Sequence, residues 1–414
     1  MSADRSARAS FAPGWLFFSF IAALALLKGI RMPNRWATTH YLFNYQTGFM
    51  KRALWGDVLW RVLGGWTSKY FVLAMIALAI FALLLVLLVV LCRRIPETAV
   101  RVPFLVVFLA SPALTFAAHL AGYLEQIAYI GVLFIVLQRR SWTLQVLSAC
   151  AAAILLPAVH EASVFWVGGL SALVVVAGPL ARGRRLVWRA GACLLLMVLW
   201  SASTLAVINN GKVTKERAER VREDRTAFAD LRPRQDAFQT LTVPLSDSLA
   251  DMRQRWADRN MQVEAGYSAL VFGPSLAFFS VLASRRIRRL DPDRVGRVLT
   301  AVLFVAAAAG PLCLHIAGWD THRWNAMAAM NAGIAAAILL IAAPASSDAS
   351  VVPRQMASRI ATVGFALCLW NIAADPTLFD EYGPAHPPFQ YQIQFLREAI
   401  SSRDPALWLP RPGN

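Results

Sequence analysis

Hydrophobic residues in this chain come in long blocks rather than stripes. Mostly apolar windows of ~17–22 residues recur from end to end, the length an α-helix needs to cross about 30 Å of hydrocarbon. They fall at 12–30, 70–91, 103–119, 122–138, 142–158, 163–181, 187–208, 266–283, 297–317, 326–343 and 357–374. The alternation expected of a membrane β-barrel is absent, so the pattern predicts an all-α, polytopic transmembrane helical bundle of about eleven spans. The windows at 122–138 and 142–158 are short, so the turns at 119–125 and 159–162 are hairpins or re-entrant segments. The first window ends in Lys28, Arg31 and Met32 rather than a small-residue cleavage site, which predicts an uncleaved first span.

Polar residues divide the connections into two sets. One set holds Arg5 and Arg8; Arg93, Arg94 and Arg101; Arg139 and Arg140; Arg182, Arg184, Arg185 and Arg189; Arg285, Arg286, Arg288, Arg289, Arg294 and Arg297; and Arg354 and Arg359. Few acids accompany them, and basic short loops stay in the cytoplasm, so the N-terminus is expected inside and the C-terminal tail outside. The other side then owns the large insertions. The expected organisation is a first membrane half, 1–208, with an outer loop at 31–69; an outer charged insertion, 209–265; a second membrane part, 266–374; and an outer tail, 375–414, rich in proline and aromatics. Within the insertion, the mixed-charge run from Lys212 to Arg225 reads as a solvated helix. Pro244 to Asn260 reads as an amphipathic helix lying on the membrane. No internal repeat is visible, which counts against a two-fold transporter.

Composition agrees with the blocks. The chain is 57% hydrophobic and 16% charged with mean hydropathy +0.51, more apolar surface than a soluble domain could hide. A net charge of +17 would suggest nucleic acid in a soluble protein. Here topology accounts for the excess, so a lipid bilayer and no nucleic acid is expected as partner. The five cysteines are scattered without CxxC or Cys/His spacing, which argues against disulfides and structural zinc. No cofactor is expected. The outer histidines and acids could hold a divalent metal, yet none shows the i, i+4 spacing of a helical metal site.

The six histidines (His40, His119, His160, His315, His322 and His386) all fall on the outer side or within a turn of it, with Glu125, Glu161 and Asp320. Chemistry is therefore expected on that side. The outer loop carries Arg31, Arg35, Lys51, Arg52, Arg61 and Lys69 against Asp57 alone. Translocated positive charge is disfavoured, so an anionic substrate or anionic headgroups should compensate it. His160-Glu161 follows Pro157 in a hairpin. Glu161 there is either a base whose pKa burial raises, or a cap on the next helix. Glu125, in Gly122-Tyr123-Leu124-Glu125-Gln126, is a cap, a buried partner for an arginine, or a substrate contact. Trp319-Asp320-Thr321-His322-Arg323-Trp324-Asn325 places a carboxylate, an imidazole and a guanidinium between two apolar runs. It is either a polar interfacial turn or part of a site.

The string Gly48, Phe49, Lys51, Arg52, Leu54, Gly56, the pair His160-Glu161, and Asp320, Arg323, Trp324 together resemble a pattern in bacterial surface-polysaccharide loci. In motif order and span count the chain is similar to the EpsG and Wzy-type polysaccharide polymerases. The resemblance implies a glycosyltransferase of exopolysaccharide or O-antigen synthesis in the bacterial inner membrane. It would act at the periplasmic face on polyprenyl-pyrophosphate-linked oligosaccharide, beside other polysaccharide-assembly proteins. Lys51, Arg52 and Arg323 would then stabilise the pyrophosphate leaving group. Glu161 or Asp320 would act as general base, oriented by His160 or His322. Tyr45 and Trp324, with Glu125, would contact substrate. Membrane transferases of the GT-C type have similar topology but carry an acidic pair in the first outer loop, where this chain has only Asp57. A lipid-linked glycan flippase and a membrane O-acyltransferase are the rival readings.

Overall fold

The computed structural model describes residues 20, 23, 24, 27, 29, 30, 32–96, 98–181, 183–290, 293–318, 320–342 and 354–373. The tail at 375–414, Trp319 and most of the expected span at 12–30 lie outside them. Every regular element among the described residues is helical: α1 Arg35–His40, α2 Leu54–Leu63, α3 Tyr70–Arg93, α4 Thr98–Leu109, α5 Pro112–His119, α6 Leu124–Leu137, α7 Trp142–Val159 and α8 Gly169–Ala177. There follow α9 Leu186–Asn210, α10 Lys215–Phe228, α11 Gln235–Thr242, α12 Leu245–Arg255, α13 Arg259–Leu290, α14 Arg294–Ala309, α15 Thr321–Ala342 and α16 Arg354–Ala373.

Eight helical stretches among the described residues are long and apolar enough to cross a bilayer. They are α3, Val100–His119, α7, Val164–Ala181, α9, α13, Arg294–Ile316 and α15. The architecture is a helical membrane bundle. The window at 122–138 forms α6, whose 14 residues fall short of a full span. Lipid-facing surfaces are plain: α9 exposes Val187, Trp188, Leu194, Leu195, Met197, Val198 and Leu205. So large an apolar strip is untenable in water and natural against acyl chains.

At the centre stands α15, with 89% of its apolar window buried against 33% for α7 and for α9. It is built of alanines around Gly333, where an added Cβ would lie 2.5 Å from the Phe108 ring. Small residues let helices close where lipid provides no hydrophobic drive to pack them. Asn331 donates from Nδ2 to the carbonyls of Trp166 and Ala307, each at 2.7 Å. The Trp166 carbonyl belongs to a π-turn at Val164–Gly168, where the widened helix frees backbone groups.

Two expectations change. The polar run after Trp319 is not a turn: helix α15 already begins at Thr321, placing His322, Arg323 and Trp324 in its first turn. The Pro244–Asn260 segment is not one helix, because α12 stops at Arg255 and α13 starts at Arg259, ahead of the expected boundary at 266. At 1.5 Å per residue the 32 residues of α13 reach roughly 48 Å, beyond the hydrocarbon thickness. The two large insertions, 31–69 and 209–265, pack on each other. Val213, Ala218, Val221, Ala237, Phe238 and Leu241 form a second core with Phe43, Met50 and Ala53 of that loop. The mixed-charge run does form a helix, α10, with Thr214 as its N-cap.

Candidate functional site

The loop at 41–53 is folded tightly against α2. An added Cβ at Gly56 would lie 1.9 Å from the Phe43 carbonyl oxygen, so only glycine admits this approach. Asp57 in the first turn of α2 accepts from the Tyr45 N–H at 3.2 Å and from Arg61 Nε at 2.7 Å. The fold thereby delivers Lys51 and Arg52 to the end of α7 and α9. The Lys51 N–H donates to the Gly211 carbonyl at 3.0 Å. Arg52 adopts φ 65°, alone among the described non-glycine residues in positive φ. Such a backbone costs about 1–3 kcal/mol and persists only where its surroundings hold it.

Those surroundings are visible. Arg52 Nε donates to both carboxylate oxygens of Glu161 at 3.0 Å, and Nη1 donates to Thr240 Oγ1 of α11 at 3.0 Å. Lys51 Nζ stands 4.0 Å from Glu161 Oε1. Burial alone would raise the Glu161 pKa, but Arg52 first, then His160 and Lys51, hold it well below the usual carboxylate range. The elevation expected from a dry hairpin is overturned by a guanidinium 109 residues away in sequence. Glu161 is an ionised clamp for Arg52, and a weak base. Burial, with Arg52 and Lys212 adding like charge, lowers the Lys51 pKa against the pull of Glu161.

Two imidazoles adjoin the clamp. The Ala162 N–H donates to His160 Nδ1 at 3.1 Å, which puts the neutral ring's proton on Nε2. His160 Nδ1 is also 3.5 Å from Glu161 Oε2. Burial first, then Arg52, keeps His160 far below 6.5 and therefore neutral. His40 Nδ1 lies 2.8 Å from the Trp36 carbonyl, which can only accept, so its proton is on Nδ1 and Nε2 is bare. Burial and then Arg52 push His40 down to about 3.

The third motif forms an adjoining cluster. Arg323 Nε and Nη2 donate to the two oxygens of Glu125 at 2.9 and 2.7 Å. Its guanidinium lies 4.7 Å over the Tyr123 ring, 5.1 Å over Trp324 and 5.7 Å over Trp166. Asp320 Oδ1 accepts from the Arg323 N–H at 3.3 Å, and Oδ2 is 3.8 Å from Nη1. Of the readings open for Glu125, buried partner for an arginine is the one the geometry realises. Trp166 joins the clusters, its ring centroid 4.4 Å from that of His160 and its other neighbour being Arg323. A narrow crevice of about 20 Å³, lined by Leu84, Phe116, Glu125, Tyr129, Arg323 and Met330 among others, runs to the Glu125–Arg323 pair.

Lys51, Arg52, His160 and Glu161 thus meet one another, and Glu125, Asp320, Arg323 and Trp324 meet beside them. Tyr45 and His322 stand apart. Tyr45 stacks on Phe49 at 5.5 Å, and His322 lies near His315. His40, Trp166 and Thr240 were not singled out in the sequence. His40 was readable only as one of the outer histidines, and Thr240 and Trp166 carry no local signal. Among the described residues no three His, Cys, Asp or Glu side chains group closely enough to hold a metal.

No family model, curated protein or solved structure matches this chain. What the fold and the geometry define is a class: a helical membrane protein with a half-buried cluster of ions and neutral imidazoles at one end.

Proposed function

We propose that the chain is an integral membrane glycosyltransferase of the polymerase or ligase type, similar to the EpsG and Wzy-type polymerases. It would extend polymer from a polyprenyl-pyrophosphate-linked glycan at the periplasmic face of the bacterial inner membrane. The observation that carries this reading is the surplus of cations around one carboxylate: Arg52 and Lys51 both face Glu161, and Lys212 adds further like charge to Lys51. Crowding of like charge in a poorly hydrated place favours an incoming anion, and a pyrophosphate is the anion that a lipid carrier would bring.

In the step proposed, an acceptor-sugar hydroxyl oxygen attacks the anomeric carbon of the donor. The new C–O glycosidic bond forms as the bond from that carbon to the pyrophosphate oxygen breaks, and the pyrophosphate leaves with the electron pair. Lys51 and Arg52 meet the charge that develops on it. The hydroxyl proton passes to Asp320, whose side chain is 33% exposed, whereas the carboxylates of Glu161 and Glu125 are largely buried against Arg52 and Arg323. His160, neutral with its proton on Nε2, is a hydrogen-bond donor rather than a base. Arg323, enclosed by three rings, positions Asp320 and does not itself grip phosphate.

The cleanest test is Lys51→Ala. The ammonium makes only the 4.0 Å contact to Glu161 among the described residues, so the fold should survive its loss. Polymer synthesis should fall roughly 100-fold, as when a preorganised charge is removed, with membrane abundance unchanged. Asp320→Asn should do the same. Polymer of normal length and amount from both variants would sink the proposal.

A further inference from the structure

A second opening lies on the same loop, apart from the charge cluster. Tyr45, Gln46, Asp57, Trp60 and Arg61 line an open pocket of about 590 Å³, within the range of small-molecule sites. Its residues come from the loop before α2 and the first two turns of that helix. Two aromatic rings flank three polar groups of different kinds: a carboxylate, an amide and a guanidinium.

Each polar group keeps bonding capacity. Asp57 is 7% exposed and accepts from Tyr45 N–H and Arg61 Nε, leaving lone pairs on both oxygens. Arg61 uses only Nε on Asp57, and its side chain is 74% exposed, so the terminal nitrogens remain available. Gln46 is oriented by Arg225, whose Nη2 donates to Gln46 Oε1 at 2.9 Å. This fixes Oε1 as acceptor and leaves the amide nitrogen as donor. Arg225 also lies 5.8 Å over the Trp60 ring and 5.7 Å over Phe228, and Trp60 meets Phe228 edge-on at 5.3 Å. Trp60 is therefore held rigidly while remaining part of the pocket wall. The Tyr45 hydroxyl is buried and has no hydrogen-bond partner among the described residues, so this residue offers the pocket its ring.

We infer that this pocket is a saccharide subsite, taking a pyranose unit of the glycan chain between Tyr45 and Trp60. A sugar ring presents apolar C–H faces to aromatic walls and vicinal hydroxyls that both donate and accept. A pocket with a fixed carboxylate acceptor beside a guanidinium donor and an amide satisfies both hydroxyl functions at once. A purely anionic ligand would meet Asp57, and an apolar one would strand the three polar groups. The inference deepens the transferase reading and rests on it for the identity of the glycan. Its place on the loop that delivers Arg52 would hold the chain while its end enters the charge cluster.

The test uses the full-length protein in lipid nanodiscs and, as probe, oligosaccharides of one to three repeat units released from the native host's surface polysaccharide. Binding is read by tryptophan fluorescence and calorimetry. The wild type should bind, Trp60→Ala and Asp57→Asn should weaken binding at least about tenfold, and Arg61→Gln, at an exposed position, should weaken it while leaving the fold intact. Lys51→Ala should bind the oligosaccharide as the wild type does even though its polymer synthesis falls roughly 100-fold. Absence of wild-type binding, or equal binding by Trp60→Ala and Arg61→Gln, would overturn the subsite. Loss of binding in Lys51→Ala to the same degree would also overturn it, by placing the sugar in the inner cluster. If Lys51→Ala makes normal polymer while the pocket variants lose binding, the subsite stands and the transferase reading fails.

Discussion

His40 and His160 are held neutral by burial and by the Arg52 and Arg323 guanidiniums, with Glu161 opposing. The unfolded chain protonates both near 6.5 while the folded chain does not, so below 6.5 the unfolded state binds more protons and stability falls with pH. Each histidine contributes a loss of roughly 1.4 kcal/mol per pH unit, continuing for His40 down to about 3. Glu161 acts in the same direction: its depressed pKa gives stability that is complete above 4.5 and is lost as pH drops below that value. The detergent-solubilised protein should therefore show a thermal midpoint that declines from pH 6.5 downward and steepens below 4.5. His40→Gln should flatten the upper part of that profile. A midpoint independent of pH between 6.5 and 4 would refute the assignment of neutral imidazoles. The sequence showed which residues were unusual but had the sign at Glu161 reversed. The carboxylate and its guanidinium come from distant segments, so no local pattern announces the pairing.

Elements were legible where a single apolar run decides them. Helices α3, α7, α9, α14 and α15 sit close to the windows drawn from hydropathy. Polar residues misled where they occupy a helix's first turn: His322 and Arg323 looked like a break in the chain but begin the most buried helix in the bundle. The Val164–Gly168 π-turn and its partner Asn331 were equally invisible, since an apolar run has the same composition with or without a widened turn. Gly56 was noticed as permitting close packing, and the geometry says against what. The Gly56→Ala methyl would sit 1.9 Å from the Phe43 oxygen and 2.8 Å from the Tyr41 oxygen, both backbone atoms that have little room to yield. That substitution should destabilise by about 1–3 kcal/mol or more and move the loop that carries Arg52. Gly266→Ala, inside α13 with open space around the added methyl, should leave the thermal midpoint unchanged or raise it slightly. Equal midpoints for the two variants would remove close approach as the reason for glycine at 56.

On the scale of the whole molecule, composition made the membrane bundle legible, whereas the pairing of Arg52 with Glu161 and the placing of Trp166 between His160 and Arg323 required the fold. What hydropathy and contacts share is a polarity between the two ends. At one end lie Arg52, Glu161, Glu125 and Arg323; at the other, Arg94 donates to the Leu137 carbonyl at 2.8 Å and Arg184 lies 5.8 Å over the Trp142 ring. Basic short connections remain in the cytoplasm, so the charge cluster should face the opposite side of the membrane, as the proposed lipid-linked glycan polymerase would require. A cysteine reporter decides this. Cys92, Cys193 and Cys368 are buried, so replacing Cys150 and Cys313 by serine lowers the background. In that variant, Glu219→Cys on the exposed face of α10 should react with a membrane-impermeant maleimide in intact spheroplasts. Arg185→Cys, exposed at the opposite end, should react only after lysis. The reverse pattern would put the cluster in the cytoplasm, where nucleotide-activated donors are available, and would remove the topological reason for a polyprenyl-linked one.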